Sequence, residues 1–292
     1  MNRDTLLIAL GAILWGIIGI FVQGLLTYGF TPLEITALRV VSASLLILCY
    51  LLVKNKQKLK IHWQDTRYFI GTGILSIVFF NWCLFTAMRE TSIAVASILL
   101  YTAPAFVTVL SRFFFKEWLT PRKITALLVT FIGCAFVIGV APYGVSSIST
   151  AGLLAGLGAG FGYALYSIFG KFALAKYDSY TVTAFTFFTA AVFLLPLTQL
   201  WTKANTLADP LVWVYVLGLG LFSTVLAFLL YTTGLSRIES SRASIVATIE
   251  PVTAALVSVI IFQEQLNLWQ VAGIGMVLSA VILVQERKRR SL

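Results

Sequence analysis

The chain has 292 residues, of which 59% are hydrophobic and only 11% are charged. Its formal net charge is +10 and its mean hydropathy is +0.95. Soluble domains carry roughly 25% charged residues, so this composition excludes a water-soluble fold and indicates an integral membrane protein. The basic residues stand in short clusters between apolar runs, which is typical of membrane topology and not of a nucleic-acid-binding face.

Apolar runs of about 20 residues predict membrane-spanning helices. Ten such runs follow one another, and their short connections leave no room for a soluble domain. They cover 5–26, 33–53, 67–88, 92–113, 122–141, 150–171, 179–200, 211–234, 241–262 and 267–285. The first run is too long for the apolar core of a signal peptide, so we expect it to be retained as a helix.

The Lys and Arg residues predict the orientation of the chain. If the N-terminus is cytoplasmic, 18 of the 21 lie in cytoplasmic segments, Arg89 and Lys203 lie outside, and Arg39 lies within the second helix. Cytoplasmic loops carry such an excess, so both termini are predicted to be cytoplasmic in a cell (inner or plasma) membrane. The basic clusters at 54–60 and 287–290 are explained by topology, and binding of anionic membrane lipid is the alternative.

A second pattern is an internal repeat at an offset of 147 residues, about half of the chain. The matches are Ala96-Ser97-Ile98 with Ala243-Ser244-Ile245, Pro104 with Pro251, and Glu117 with Glu264. We therefore predict two copies of one unit, 1–145 and 146–292, with five helices each. Because five is odd, the second copy enters from the opposite side, which gives inverted repeats related by a pseudo-two-fold axis in the membrane plane.

Glu250 is the sharpest candidate for a functional residue, because a carboxylate near the middle of a span is costly and is a functional-site hypothesis by default. It would bind an amino group of a substrate or titrate as the coupling site; the alternative is a structural cap of the helix broken at Pro251. Pro104 and Pro251 are predicted to bend their helices and to free the carbonyls of Leu100 and Ala247. They are candidate hinges, with tolerated kinks as the alternative.

Other polar groups lie inside the spans. Arg39 is favoured as a structural charge that snorkels or pairs, over one that meets a substrate carboxylate. Ser97 and Ser244 occupy equivalent places and would contact substrate or only allow close packing. Amphipathic or polar side chains away from the helix ends need partners in hydrocarbon; they are Trp15, Asn81, Trp82, Tyr101, Tyr163, Tyr166 and Tyr231. A stripe of small residues on the sixth helix, Gly152, Gly156 and Gly160, predicts a helix contact, with Gly158 and Gly162 on another face.

Several short motifs carry a resemblance to a known family. They are Leu14-Trp15-Gly16, Arg39, Ala94 to Ile98 leading to Pro104, Phe115-Lys116-Glu117 with Leu119, Ala243-Ser244, Glu250-Pro251-Val252 and Gln263-Glu264. Over essentially its whole length the chain resembles the EamA-like transporter family of the drug/metabolite transporter superfamily. The resemblance implies ten helices and a central cavity lined by helices 1, 3, 4, 6, 8 and 9. It also implies export or exchange of small metabolites, often amino acids and their derivatives.

From the residues and the resemblance together we expect a secondary transporter that exports small organic metabolites by alternating access. Its expected substrate-binding residues are Trp15, Ser97, Tyr101, Tyr163, Tyr231, Ser244 and Glu250. The alternative is an uptake carrier or exchanger for nucleobases, sugars or other metabolites. We expect no enzyme, cofactor or metal, because the one histidine, His62, lies in a basic loop and no P-loop motif occurs. A channel is a further alternative, and measurements of substrate saturation and counterflow would distinguish a carrier from it. The sequence does not predict the oligomeric state.

Overall fold

A computed structural model describes residues 2–139, 149–263 and 265–284, and within these residues the chain is helical and contains no strand. The main helices are α1 Arg3–Thr27, α2 Pro32–Lys54, α3 Trp63–Glu90, α4 Ile93–Phe115, α5 Pro121–Val137, α6 Thr150–Leu174, α7 Ser179–Leu197, α8 Pro210–Leu235, α9 Ser240–Ile261 and α10 Leu268–Val284. Short helical turns at Lys56–Leu59, Leu200–Lys203 and Ala204–Leu207 lie in the connections.

Within the described residues, eight of these helices are long and apolar enough to cross a membrane. The remaining two are α10, which is a shorter apolar helix, and α5, which has 17 residues and carries Arg122 and Lys123 in its first turn. Each predicted run therefore corresponds to a helix, with edges that agree to within a few residues. Ten membrane spans, as a number, stay a prediction.

The repeat in the sequence recurs in the backbone. Shifting α1 by 147 residues gives the bounds of α6, and shifting α5 gives those of α10. Lys116 and Gln263, which are also 147 residues apart, both cap their helices in the left-handed conformation, with φ of 56° and 58°. Two stretches of one chain thus fold into the same series of helices. The predicted boundary at 145 and 146 and the repeated residue Glu264 lie outside the described residues.

Helices α4 and α9 are each broken at the same place in their repeat. The first half of α4 ends at Leu100 and the second begins at Ala103; in α9 the break is at Thr248. The breaks directly precede Pro104 and Pro251, since proline cannot donate to the carbonyl four residues back. The predicted bends are therefore present, whereas their role as hinges stays a prediction.

The glycine stripe on α6 packs as expected. A Cβ added at Gly152 would meet the Thr91 side chain at 2.3 Å, and one at Gly156 would meet Leu99 at 2.3 Å. Gly160 likewise faces the backbone of α4, with the Leu99 carbonyl 2.9 Å from its added Cβ. Small residues let two helices approach closely in a membrane, so this stripe sets the distance between α6 and α4.

The connections gather at two ends of the helix bundle. At one end, which we call the Glu117 end, Lys58 pairs with Asp178 at 2.6 Å and Arg237 with Asp4 at 3.4 Å. At the other, the Thr31 end, Lys203 pairs with Glu34 at 3.0 Å. These ion pairs tie residues of the first repeat to residues of the second at both ends.

Candidate functional site

A cavity of about 280 Å³ lies inside the bundle, between the two repeats. Its walls come from α1, α2, α3, α6 and α8, with single residues from α4 (Leu100) and α9 (Glu250). The lining residues run from the middle of the bundle toward the Thr31 end, where Pro32 and Met88 contribute. None of them belongs to a connection at the Glu117 end.

Aromatic rings form the inner wall. The Trp15 ring lies 5.0 Å from Phe228 and 5.1 Å from Tyr231, centroid to centroid, and 6.3 Å from Tyr163 in an edge-on arrangement. Trp15 is only 5% exposed, and its indole N–H has no hydrogen-bond partner within the described part of the chain. Buried polar groups are usually paired, so this donor is a group that a ligand or a water would satisfy.

Glu250 lies on the same wall because of the break in α9. It is in the first turn of the second half of the helix, where backbone N–H groups and the positive end of the helix dipole favour a negative charge. The hydroxyl of Tyr163 donates a hydrogen bond to Glu250 Oε2 at 3.4 Å. A proline-broken helix and a tyrosine of the neighbouring α6 thus position a carboxylate in the cavity.

Arg39 brings the opposite charge to the cavity from α2. Its Nε donates to Thr224 Oγ1 at 3.0 Å, and its guanidinium carbon is 5.9 Å from the centre of the Phe228 ring. Thr224 lies in a π-helical turn of α8, Leu221–Leu226, and π-turns are frequent at functional sites. Arg39 and Glu250 act on one another electrostatically, but the polar contacts described for them are to Thr224 and Tyr163 and not to each other. The cavity therefore presents a guanidinium group and a carboxyl group to one space.

The structure brings four of the predicted site residues to the cavity wall: Trp15, Tyr163, Tyr231 and Glu250. Ser97, Tyr101 and Ser244 are not among the residues that line it, although Tyr101 lies near enough to Glu250 and Tyr163 to act on both electrostatically. Ser97 donates to the carbonyl of Ile93 at 2.7 Å and Ser244 to that of Ser241 at 3.0 Å, so both hydroxyls are satisfied within their own helix. The Tyr101 ring packs beside Cys134, Val252 and Val277.

The helices that build the wall differ in part from those that the family resemblance implies. Helix α2 was absent from the cavity helices that the family resemblance implies, yet it supplies Arg39 and Thr36, while α4 contributes only Leu100. Asn81 is buried on the wall and donates to the Ile77 carbonyl at 2.7 Å. Trp82, next to it, is 62% exposed on the outer surface of α3 and takes no part. Within the described chain, no cluster of three His, Cys, Asp or Glu side chains is placed to hold a metal.

Comparison with known proteins gives the family. The model of the EamA-like transporter family matches the chain twice, at residues 4–139 and 150–285. An uncharacterized transporter of Archaeoglobus fulgidus is 28% identical over 283 residues, which cover 97% of this chain and 96% of that protein. The uncharacterized transporter YxxF of Bacillus subtilis is 23% identical, over 95% of this chain and 88% of that protein.

A solved crystal structure has the same fold, with a TM-score of 0.77 at 19% sequence identity, and the match covers 96% of this chain and 95% of the other. Two family matches, one for each repeat, account for almost the whole described chain. The chain is therefore a multi-pass membrane protein that belongs to the EamA-like transporter family.

Proposed function

We propose that this protein is a secondary transporter that exports small organic metabolites, such as amino acids or their derivatives, by alternating access. The observation that carries the proposal is the pair Arg39 and Glu250, which line one cavity without being paired to each other. An amino acid carries an ammonium and a carboxylate group, and each would find an opposite charge there. Aromatic walls beside these charges suit an apolar side chain.

The size of the cavity supports a small cargo. Its 280 Å³ lies just below the range of about 300–1,000 Å³ for small-molecule pockets. A nucleobase or sugar would use the aromatic walls and the polar tips, but it is uncharged and would leave both Arg39 and Glu250 without a partner of opposite charge. Uptake or exchange of such metabolites is the second candidate function, and we place it behind amino-acid export for that reason.

We further propose that the chain crosses the cell membrane ten times, as two inverted five-helix repeats, and that both termini are cytoplasmic. The repeated helix bounds support the duplication, and the basic residues near the Glu117 end, among them Lys58, Arg67 and Lys171, support a cytoplasmic location for that end. The cavity residues near Pro32 and Met88 would then lie toward the outside.

A binding screen tests the substrate class. Purified protein is heated with amino acids, nucleobases and sugars in turn, and a ligand that binds the folded state raises the melting temperature. We expect amino acids to give the largest shift, and we expect both Arg39→Gln and Glu250→Gln to abolish it. A shift produced by sugars alone, or a shift that persists in both variants, would favour the second candidate function.

Coupling is tested separately in proteoliposomes. If Glu250 exchanges a proton during the cycle, Glu250→Gln should abolish the pH dependence of transport because the amide does not titrate. Tyr163→Phe, which removes only the hydroxyl that donates to Glu250, serves as a second variant and should retain a pH dependence. Transport by Glu250→Gln with the pH profile of the wild type would exclude Glu250 as the coupling site.

A further inference from the structure

The Glu117 end contains a buried polar cluster that the cavity does not use. Glu117 is 8% exposed, and its carboxylate accepts hydrogen bonds from the backbone N–H of Ser240 at 2.7 Å and of Ser241 at 3.2 Å. The Ser241 hydroxyl donates to the same carboxylate. Glu117 follows α4 in the first repeat, whereas the two serines begin α9 in the second, so one side chain joins the two repeats.

A lysine extends this cluster. Lys123, at the start of α5, is 2% exposed and lies 3.8 Å from Glu117 and 3.0 Å from Glu239. Glu239 also pairs with Arg242 at 2.6 Å. A buried charge that loses its partners is strongly disfavoured, so these contacts oppose any separation of α4 and α5 from the start of α9.

A second tie lies beside the cluster. Lys171 of α6 donates to the carbonyls of Leu235 and Ile238, both at 2.6 Å, at the C-terminal end of α8. A cation at the end of a helix satisfies carbonyls that have no partner within the helix. At the Glu117 end, the end of α4 is thus tied to the start of α9, and the end of α6 is tied to the end of α8.

The cluster belongs to one end of the molecule. At the offset of 147 residues, Lys123 corresponds to Gln270, Ser240 to Ile93 and Ser241 to Ala94. At the Thr31 end, the second repeat therefore has no lysine at the equivalent position, and the first repeat has no serine hydroxyl at the other two. Two repeats that are alike in backbone therefore differ in the polar side chains that they supply at the two ends.

We propose that Glu117, with Ser240, Ser241 and Lys123, forms the gate that closes the Glu117 end of the transporter while the cavity extends toward the Thr31 end. Alternating access requires the helices at the Glu117 end to separate, and this separation must release the Glu117 carboxylate from the start of α9. The proposal rests on the proposed transport function, because a gate has a role only in a protein that opens to both sides.

Cysteine labelling measures the opening directly. Two reporters are placed in a chain whose natural cysteines, Cys49, Cys83 and Cys134, are replaced by serine. Ser244→Cys lies in α9 behind the gate, is 2% exposed in the wild type and is not part of the cavity wall. Met88→Cys lies on the cavity wall toward the Thr31 end. A charged maleimide is added to the purified protein in lipid nanodiscs, and the rate of labelling is measured.

Glu117→Gln should raise the labelling of Ser244→Cys by about tenfold or more, because hydrogen bonds to a charged group contribute about that factor each. Ser241→Ala, which removes one donor and keeps both charges, should give a smaller rise. Asp178→Asn is the matched control, because its ion pair with Lys58 is at the same end but only partly buried, and it should leave the rate unchanged.

The Met88→Cys reporter separates a gate from a merely structural contact. Opening of the Glu117 end alone does not raise the labelling of Met88→Cys, whereas general loosening of the fold raises both rates. Equal labelling rates of Ser244→Cys with and without Glu117→Gln, or a parallel rise in the rates at both reporters, would contradict the proposed gate. The ligand-induced rise in melting temperature would be unaffected by that outcome, so the proposed function stands or falls separately.

Discussion

Gly16, which follows Trp15 in α1, offers a sharp test of how the cavity is assembled. A Cβ added at Gly16 would lie 2.4 Å from the Thr253 Cβ and 2.8 Å from the backbone oxygen of Glu250. Carbon atoms pack favourably at about 3.5–4.0 Å, so Gly16→Ala would push α1 and α9 apart by roughly 1 Å. Because the displaced carbonyl belongs to Glu250, the change acts on the carboxylate of the cavity.

Gly19→Ala is the matched control. Gly19 is exposed on the same helix, and no atom lies within 4 Å of its added Cβ. Replacing glycine by alanine in a helix favours folding by up to about 1 kcal/mol at either position. Overpacking costs about 1–3 kcal/mol, so Gly16→Ala should be less stable than Gly19→Ala by about that amount. At about 2–4 °C for each kcal/mol, its melting temperature should be roughly 2–12 °C lower.

The melting temperature is measured by tryptophan fluorescence in detergent, and transport is measured in proteoliposomes. We expect Gly16→Ala to lower both, and Gly19→Ala to match the wild type or melt slightly higher. Equal melting temperatures for the two alanine variants would refute the reasoning that Gly16 is needed for the approach of α9.

Two further predictions concern stability. Gly273→Ala should lower the melting temperature, because its Cβ would lie 2.6 Å from the Gly133 carbonyl of α5, whereas Gly275→Ala, with open space around it, should not. Partial burial opposes ionisation of Asp178, but hydrogen bonds from Lys58 and a backbone N–H outweigh it and hold its pKa below the usual value. The stability that Asp178 contributes is therefore present above about pH 4 and lost as the pH falls through its folded pKa. The difference in melting temperature between the wild type and Asp178→Asn should shrink on acidification; a constant difference would contradict this.

The sequence predicts the helices well because lipid imposes a simple rule on them. Every spanning backbone must satisfy its own hydrogen bonds, so long apolar runs become helices wherever they occur. Pro104 and Pro251 mark the breaks in α4 and α9 for an equally local reason, since a proline removes a helix hydrogen bond. Glu250 stands out because a carboxylate is rare in such a run, and it does lie on the cavity wall.

The direction in which a side chain points is less local. The sequence alone allows the Arg39 side chain to snorkel toward the membrane interface. In the structure, α2 packs against α8 and the side chain contacts Thr224. Ser97 and Ser244 repeat one another in sequence, yet both hydroxyls bond to carbonyls of their own helix. Trp82 and Asn81 are neighbours and face opposite ways. The rotation of each helix about its axis decides these cases, and that rotation depends on the neighbouring helices.

The gate cluster was also beyond sequence reasoning. Glu117 attracts notice only as one half of a repeated pair and as part of a family motif, and Lys123 looks like an ordinary cytoplasmic lysine. Their burial follows from the turn at Lys116, whose left-handed backbone directs the chain back across the start of α9. A carboxylate and a lysine that look solvated in the sequence are thus buried between the repeats.

Counterflow in proteoliposomes tests the central claim most directly. Vesicles are loaded with an excess of the unlabelled ligand that gives the largest thermal shift, and uptake of a trace of labelled ligand is followed with time. If the cavity between Arg39 and Glu250 carries substrate by alternating access, the wild type shows a transient accumulation of label above equilibrium, and Arg39→Gln does not. Uptake that never exceeds equilibrium and rises without saturation would contradict a carrier and indicate a channel.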